Sequence, residues 1–164
     1  MITLSAADSA IGRVGWLVLC FGAAAVGARF KPGEWYKALR KPSWTPPSWL
    51  FAPVWTLLYA MMAVAAWLVW RQTGLSGEVG LFVVQLALNA VWSWLFFGLH
   101  RPGLAFATIV AMWVAILATL VAFWAVRPLA GWLLVPYLAW VSFASVLNGA
   151  VWRLNRALDA PTAG

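Results

Sequence analysis

The chain has 164 residues, of which 65% are hydrophobic and only 9% are charged, and it carries a net charge of +7. Soluble domains contain about 25% charged residues, and a globule of this size cannot bury so much apolar surface, so a soluble protein is excluded and an integral membrane protein is expected. The basic residues lie between apolar runs and do not gather on a polar domain. Nucleic-acid binding is therefore excluded as well.

Five apolar stretches are long enough to cross a bilayer as helices. A hydrocarbon core of ~30 Å needs ~20 helical residues. Pro102 and Pro128 each stand where a helix tolerates proline, at its first turn. The predicted spans are approximately 11–28, 49–70, 79–99, 103–126 and 128–152. We therefore predict an all-α membrane protein, a five-transmembrane-helix bundle forming a single domain over residues 1–164.

The first stretch also has features of a secretory signal peptide. It contains Arg13, a short apolar region and small residues at Val26, Gly27 and Ala28. The apolar region is long, however, and no soluble domain follows it. A retained span is the preferred interpretation, and cleavage is the alternative.

The segment between the first two spans, 29–48, is basic, aromatic and rich in proline. Its second half is the stretch KPSWTPPSW, which runs from Lys41 to Trp49 at the start of the second span. The prolines of this stretch fix φ and restrict their neighbours. A short helical turn is predicted at 34–36. We interpret the segment as a stiff, partly helical lid over a ligand pocket, with a solvated basic linker as the alternative. The cations that it offers to an anionic ligand are Arg29, Lys31, Lys37, Arg40 and Lys41.

The basic residues also predict the orientation of the bundle. With five spans, the lid, the loop after span three and the C-terminal tail share one side of the membrane, and they carry eight lysines and arginines. The opposite side carries three: Arg13, Arg71 and Arg127. The positive-inside rule then places the lid and the C-terminus in the cytoplasm.

Polar side chains in the third span are spaced to share one helical face. Gln85, Asn89 and Ser93 lie four residues apart. Because amides are costly in lipid unless they are satisfied, this face is expected to point inward. The three residues either join helices through hydrogen bonds or line a cavity, and the spacing alone does not decide between these roles.

The fifth span carries a comparable stripe. Tyr137, Trp140, Ala144 and Leu147 recur at helical spacing, with Asn148 beside them. Such a stripe is more often plain packing than a binding surface.

The charged residues exclude several kinds of chemistry. The four acidic residues lie outside the interior of the spans, whereas a proton-coupled transporter usually keeps an ionisable residue at depth. One histidine, His100, and one cysteine, Cys20, provide neither a metal site nor a catalytic triad. No cofactor is expected to be required, and a ligand is expected to be flat and mostly apolar, meeting tryptophan faces.

Three segments, KPGEWYKALRKPSWTPPSWLFAPVW, QLALNAVWSWLFFG and VPYLAWVSFASVLNGAVWRLN, resemble the TspO/MBR family of tryptophan-rich sensory proteins, whose animal members are the translocator proteins, or peripheral benzodiazepine receptors. They match in order and spacing, and the resemblance covers about 27–155. It implies a five-helix fold, a homodimer, and a first loop that closes a pocket within the bundle.

The resemblance also implies ligands and site residues. The ligands are porphyrins such as protoporphyrin IX, haem-related tetrapyrroles and synthetic benzodiazepine-type compounds. The tryptophans tied to light-dependent breakdown of protoporphyrin in some members match Trp55 and Trp140. The pocket positions match Trp44, Trp49, Trp55, Gln85, Asn89, Trp92, Tyr137, Trp140, Ala144 and Leu147, with Asn148 beside them.

Departures from the animal pattern indicate a bacterial-type member in a bacterial cell membrane. Gly149 stands where a motif proposed for sterol binding has tyrosine, so sterol binding through that motif is not expected. The function implied is tetrapyrrole binding for porphyrin sensing, transport or disposal. The alternatives are a light-dependent porphyrin-degrading enzyme acting through Trp55 and Trp140, a lipid or sterol transporter, and a structural partner of other helices.

Overall fold

A computed structural model describes residues 5–30 and 32–156 of the chain. Lys31, predicted to belong to the basic lid, and the tail from residue 157 lie outside the described residues. Within the described ranges every regular secondary-structure element is a helix. The helices are α1 (Ala6–Ala28), α2 (Glu34–Ala38), α3 (Phe51–Thr73), α4 (Gly77–Ser93), α5 (Pro102–Val126) and α6 (Pro128–Leu154).

Two short irregular helices extend this set. A 3₁₀ turn, Ser48–Leu50, leads into α3, and a π-helical turn, Trp94–Gly98, continues α4. With these extensions, every helix except α2 is long and apolar enough to cross a membrane. The predicted five-helix membrane bundle is therefore confirmed, and α2 confirms the short helical turn predicted in the lid.

Helix α1 begins earlier than the hydrophobic pattern indicated because the sequence caps it. The Ser5 hydroxyl accepts a hydrogen bond from the Asp8 backbone N–H at 3.1 Å, and the Asp8 carboxylate accepts one from the Ser5 backbone N–H at 3.3 Å. This reciprocal capping box satisfies backbone donors that are otherwise unpaired at a helix start. Pro102 and Pro128 begin α5 and α6 as predicted.

The bundle is held by a continuous apolar core. Helix α1 packs on α3 and α4, α4 packs on α5, and α6 packs on both α5 and α3. The side chains of Met62, Phe82, Ile109 and Phe123 are fully buried at the centre of these contacts. Trp16 and Cys20 bring α1 into the same core, and this packing favours a retained first span over a cleaved signal peptide.

The ring of Trp70, near the end of α3, packs directly on Gly12 of α1. A Cβ atom at Gly12 would overlap the ring of Trp70 at Cζ3, whereas a Cβ atom at Gly15 would meet nothing within 4 Å. We expect Gly12→Ala to destabilise the bundle by about 1–3 kcal/mol through overpacking. Gly15→Ala should be neutral or stabilise α1 by up to ~1 kcal/mol through helix propensity.

Unfolding of the two variants in detergent, followed by circular dichroism, checks this pair. Equal stability of Gly12→Ala and Gly15→Ala would show that α1 does not pack against Trp70.

Candidate ligand cavity beneath the lid

A cavity of about 450 Å³ lies between α1, α3, α4 and the lid. Small-molecule sites occupy about 300–1,000 Å³. Helix α1 contributes small residues to the wall, including Ala24 and Gly27, and α3 contributes a stripe at helical spacing that includes Phe51, Trp55 and Tyr59. The wall is therefore mostly apolar and aromatic, as a flat apolar ligand requires.

The polar end of the cavity is a buried hydrogen-bond network centred on Asn89. Its amide oxygen accepts from the Tyr59 hydroxyl at 2.9 Å, and its amide nitrogen donates to the Tyr137 hydroxyl at 3.0 Å. The Tyr137 hydroxyl donates in turn to the Gln85 amide oxygen at 2.8 Å. Only Tyr59 and Asn89 of these four side chains line the cavity.

This network resolves the two roles left open for the polar face of α4. Gln85, Asn89 and Ser93 are all buried, so the inward orientation predicted from their spacing is confirmed. Gln85 joins helices, because its hydrogen bond reaches Tyr137 on α6. Asn89 both joins helices and lines the cavity, and Ser93 lines the cavity.

A second polar contact fixes Trp92, another residue of the cavity wall. Its indole N–H donates to the Asn148 amide oxygen at 2.9 Å, and the Asn148 amide nitrogen donates to the Pro102 carbonyl at 2.9 Å. Asn148 is buried and lies outside the cavity wall. It therefore orients a wall residue and ties α4, α5 and α6 together.

The two tryptophans linked by resemblance to porphyrin breakdown occupy different positions. Trp55 lines the cavity. Trp140 lies behind Phe51, with 5.8 Å between their ring centroids, and does not reach the wall. The Trp140 indole N–H is buried and has no hydrogen-bond partner among the described residues.

Five further predicted site residues also lie outside the wall. Trp49 is 72% exposed, because the 3₁₀ turn that directs Ser48 to the cavity directs the next residue away from it. Trp44 packs on Phe143 at the bundle surface, with 5.9 Å between ring centroids. The other three, Tyr137, Ala144 and Leu147, pack within the core clusters. For all five, ligand contact stays a prediction.

The lid is ordered by contacts to the end of α6 and to the loop before α5. The Asn155 side chain forms two hydrogen bonds with the backbone of Arg40, accepting from its N–H at 3.1 Å and donating to its carbonyl at 2.9 Å. His100, in the left-handed region with a φ of 56°, stacks on Trp35 with 4.2 Å between ring centroids. These contacts favour an ordered lid over a solvated linker.

Among the described residues the lid cations are not equally available to a ligand. The Lys41 ammonium donates to the carbonyls of Tyr36, Lys37 and Leu39 at 2.5, 3.3 and 3.2 Å. Lys37 pairs with Glu34 at 2.7 Å. Arg29 is exposed, and its neighbours Ala28 and Phe30 both line the cavity. Arg29 is therefore a described lid cation that adjoins the cavity wall on both sides in sequence and forms no ion pair among the described residues.

The lid also presents a neutral aromatic to the cavity. Tyr36 lines the cavity, and burial raises the pKa of its phenol above the ordinary value. It therefore stays protonated at physiological pH. Its ring lies beneath the Lys41 ammonium, 4.6 Å from the ring centroid.

The comparisons with known proteins agree with this architecture. The model of the TspO/MBR family matches residues 16–153. The chain belongs to the TspO/MBR family. Protein CrtK of Rhodobacter capsulatus is similar, with 44% identity over 147 residues, covering 85% of this chain and 90% of that protein.

Two further relatives show the breadth of the similarity. The tryptophan-rich protein TspO of Chlorobaculum tepidum is 46% identical over 144 residues, covering 84% of this chain and 91% of that protein. The human translocator protein is 46% identical over 138 residues, covering 79% and 82% of the two chains. The protein is thus a multi-pass membrane protein of the TspO/MBR family.

Several wall residues of this TspO/MBR member were missed by sequence reasoning. Phe21, Phe51 and Tyr59 lie in uncharged apolar stretches, where composition alone does not separate a cavity wall from a packed core. A signal was present on α3, because Phe51, Trp55 and Tyr59 follow one another at four-residue spacing. Phe21 gave no such signal.

Proposed function

We propose that this TspO/MBR protein binds a tetrapyrrole of the protoporphyrin IX class in the cavity beneath the lid, and acts in porphyrin sensing, transport or disposal. The observation that carries the proposal is the cavity itself, a mostly apolar space rich in aromatic side chains, with the hydrogen-bonded Tyr59 and Asn89 in its wall. A flat macrocycle can lie against the faces of Trp55 and Phe97, as aromatic rings favour.

The polar end supports a ligand that is held in one orientation. Asn89, Tyr59 and Ser93 place buried polar groups at the wall. The Asn89 amide and the Tyr59 hydroxyl hydrogen-bond to each other, and the Asn89 amide also donates to Tyr137, so both groups are held in place. A few fixed polar groups in an apolar pocket orient a ligand. The proposed arrangement therefore places the macrocycle edge near Asn89.

The mouth of the cavity supports a ligand with carboxylates. A protoporphyrin carries two propionates, and Arg29 is exposed beside two cavity residues without an ion-pair partner among the described residues. An exposed ion pair contributes about 0.2–1 kcal/mol. We therefore assign Arg29 to one propionate at the edge of the lid.

A titration of the purified full-length protein with protoporphyrin IX in the dark, followed by tryptophan fluorescence, tests the proposal. We expect saturable quenching in the native protein. Arg29→Gln should weaken binding by up to about fivefold, the upper limit set by an exposed ion pair. The same substitution should leave the affinity for the protoporphyrin dimethyl ester unchanged, because the ester has no carboxylate.

Arg127→Gln is the matched control, since it removes one exposed arginine at the opposite end of the bundle. Quenching that never saturates, for both the acid and the ester, would contradict tetrapyrrole binding. An equal loss of acid binding in Arg29→Gln and Arg127→Gln would contradict the assignment of Arg29 alone.

The same sample under illumination separates carriage from breakdown. Of Trp55 and Trp140, only Trp55 lines the cavity. A bound porphyrin would therefore meet the indole of Trp55 and not that of Trp140. A stable absorption spectrum favours sensing or carriage. Spectral loss that disappears in Trp55→Phe, with binding retained, favours the light-dependent enzyme.

A further inference from the structure

A second concavity lies on the outer surface of the bundle, in the groove between α5 and α6. Its volume is about 370 Å³, at the lower end of the range for small-molecule sites, and it shares no residue with the cavity beneath the lid. Val110 and Val146, on opposite walls, are 45% and 63% exposed. In a membrane-spanning bundle, exposed valines of this kind face lipid, so the α5–α6 groove is open to the bilayer.

Gly149 creates the floor of this groove. A Cβ atom at Gly149 would lie 3.0 Å from Cε2 of Phe106, so the absence of a side chain lets the Phe106 ring lie against α6. Phe106 then stacks on Trp152, with 5.6 Å between ring centroids and 24° between planes. The result is a flat aromatic surface one helical turn from the end of α6.

The chemistry of the groove changes along its length. The end of the groove at Ser145, farther from the end of α6, is apolar. The Ser145 hydroxyl donates to the Val141 carbonyl of its own helix at 2.7 Å, so its hydrogen is not available to a ligand. The outer end is Arg153, an exposed residue in the last turn of α6. Ser145 to Arg153 spans about 12 Å along a helix. The groove therefore runs parallel to a membrane-spanning helix, as lipid acyl chains do, and ends in a cation.

Among the residues that the structure describes, Arg153 pairs with no carboxylate. The ion pair found among the described residues is the one between Glu34 and Lys37 in the lid. A guanidinium matches the geometry of a phosphate and can bind it through two hydrogen bonds. An arginine at the membrane surface also favours anionic over neutral lipid. A sterol, whose polar group is one hydroxyl, would leave that charge uncompensated.

We propose that the α5–α6 groove binds one anionic glycerophospholipid. One acyl chain lies over Gly149 between Val110 and Val146, the glycerol region lies against Trp152, and Arg153 binds the phosphate. This site is independent of the cavity beneath the lid and of the ligand proposed for it.

Native mass spectrometry of the full-length protein in detergent tests the proposal. The protein is mixed with equal amounts of phosphatidylglycerol and phosphatidylcholine that carry identical acyl chains. We expect one tightly retained lipid, with phosphatidylglycerol preferred. Arg153→Gln should lower that preference about fivefold, the contribution of one arginine near an anionic membrane surface, and Val146→Trp should lower retention of both lipids by filling the groove.

Two control variants separate the groove from the rest of the surface. Arg156→Gln removes an exposed arginine of the same end of the chain outside the groove, and Val114→Trp adds equal bulk to an exposed valine of α5 outside it. Both should behave as the native protein. Equal retention of the two phospholipids, the same loss in Arg156→Gln as in Arg153→Gln, or displacement of the retained lipid by equimolar cholesterol would overturn the proposal.

Discussion

Replacing Asn89 with leucine is expected to destabilise the bundle by about 2–3 kcal/mol. The substitution removes the acceptor of the Tyr59 hydroxyl and a donor to the Tyr137 hydroxyl, both in the buried interior. A buried polar group left without a partner costs about 1–3 kcal/mol, although single hydrogen bonds between membrane helices contribute about 0.6 kcal/mol on average. The unpaired Tyr59 hydroxyl therefore dominates the expected loss.

Thr119→Val is the matched control for this experiment. Thr119 is fully buried, and its hydroxyl donates at 2.7 Å to the Ala115 carbonyl of its own helix. Its removal leaves no buried group without a partner, because that carbonyl also belongs to the helical ladder. Unfolding in detergent should show a clearly larger loss for Asn89→Leu. Equal losses would mean that the network does not join α3, α4 and α6.

Replacing Asn148 with leucine is expected to cost about 2–3 kcal/mol for the same physical reason, and also to weaken protoporphyrin binding. The substitution removes the acceptor of the Trp92 indole N–H and the donor to the Pro102 carbonyl. Trp92 lines the cavity, so loss of its anchor should let the ring change orientation. A substitution at Asn148 can therefore change the cavity wall, although Asn148 itself does not line the cavity.

A double-mutant cycle with Trp92→Phe isolates this anchor. Phenylalanine has no N–H, so in its background Asn148→Leu should cost less by the share due to the indole hydrogen bond, about 1 kcal/mol. Additive losses of stability in the double variant would contradict the hydrogen bond between Trp92 and Asn148.

The architecture was predictable from sequence because bilayer thickness constrains it so strongly. Apolar runs of helical length, with Pro102 and Pro128 at the breaks, identified the spans to within a few residues of the observed helices. The start of α1 was misplaced because the hydrophobic pattern does not register the Ser5–Asp8 capping box. The π-helical end of α4 had no signal in the sequence, since it depends on which hydrogen bonds the last turn adopts.

The candidate site was predictable only in part. The spacing of Gln85, Asn89 and Ser93 correctly indicated an inward face, because unsatisfied amides are excluded from lipid. The resemblance placed Trp55 and Trp92 in the site, and both line the cavity. It could not distinguish Trp49, which the 3₁₀ turn directs outward, from its neighbour Ser48, which lines the wall. Side-chain direction in a tight turn is a property of backbone geometry and not of composition.

The lid cations illustrate the same limit. Sequence treats Arg29, Lys37 and Lys41 as equivalent positive charges. In the folded lid Lys41 donates to three backbone carbonyls and Lys37 pairs with Glu34. Only the folded structure shows that Arg29 lies between two cavity-wall residues, Ala28 and Phe30, without such a partner among the described residues.

Thiol protection tests most directly whether a porphyrin occupies the cavity beneath the lid. Ser48→Cys places an exposed thiol in the cavity wall, and Ser43→Cys places one on the exposed lid surface outside it. The native Cys20 is buried and serves as an unreactive background. Protoporphyrin IX should slow alkylation of Ser48→Cys several-fold and leave Ser43→Cys unchanged. Equal alkylation rates at Ser48→Cys with and without saturating protoporphyrin would contradict porphyrin binding in this cavity.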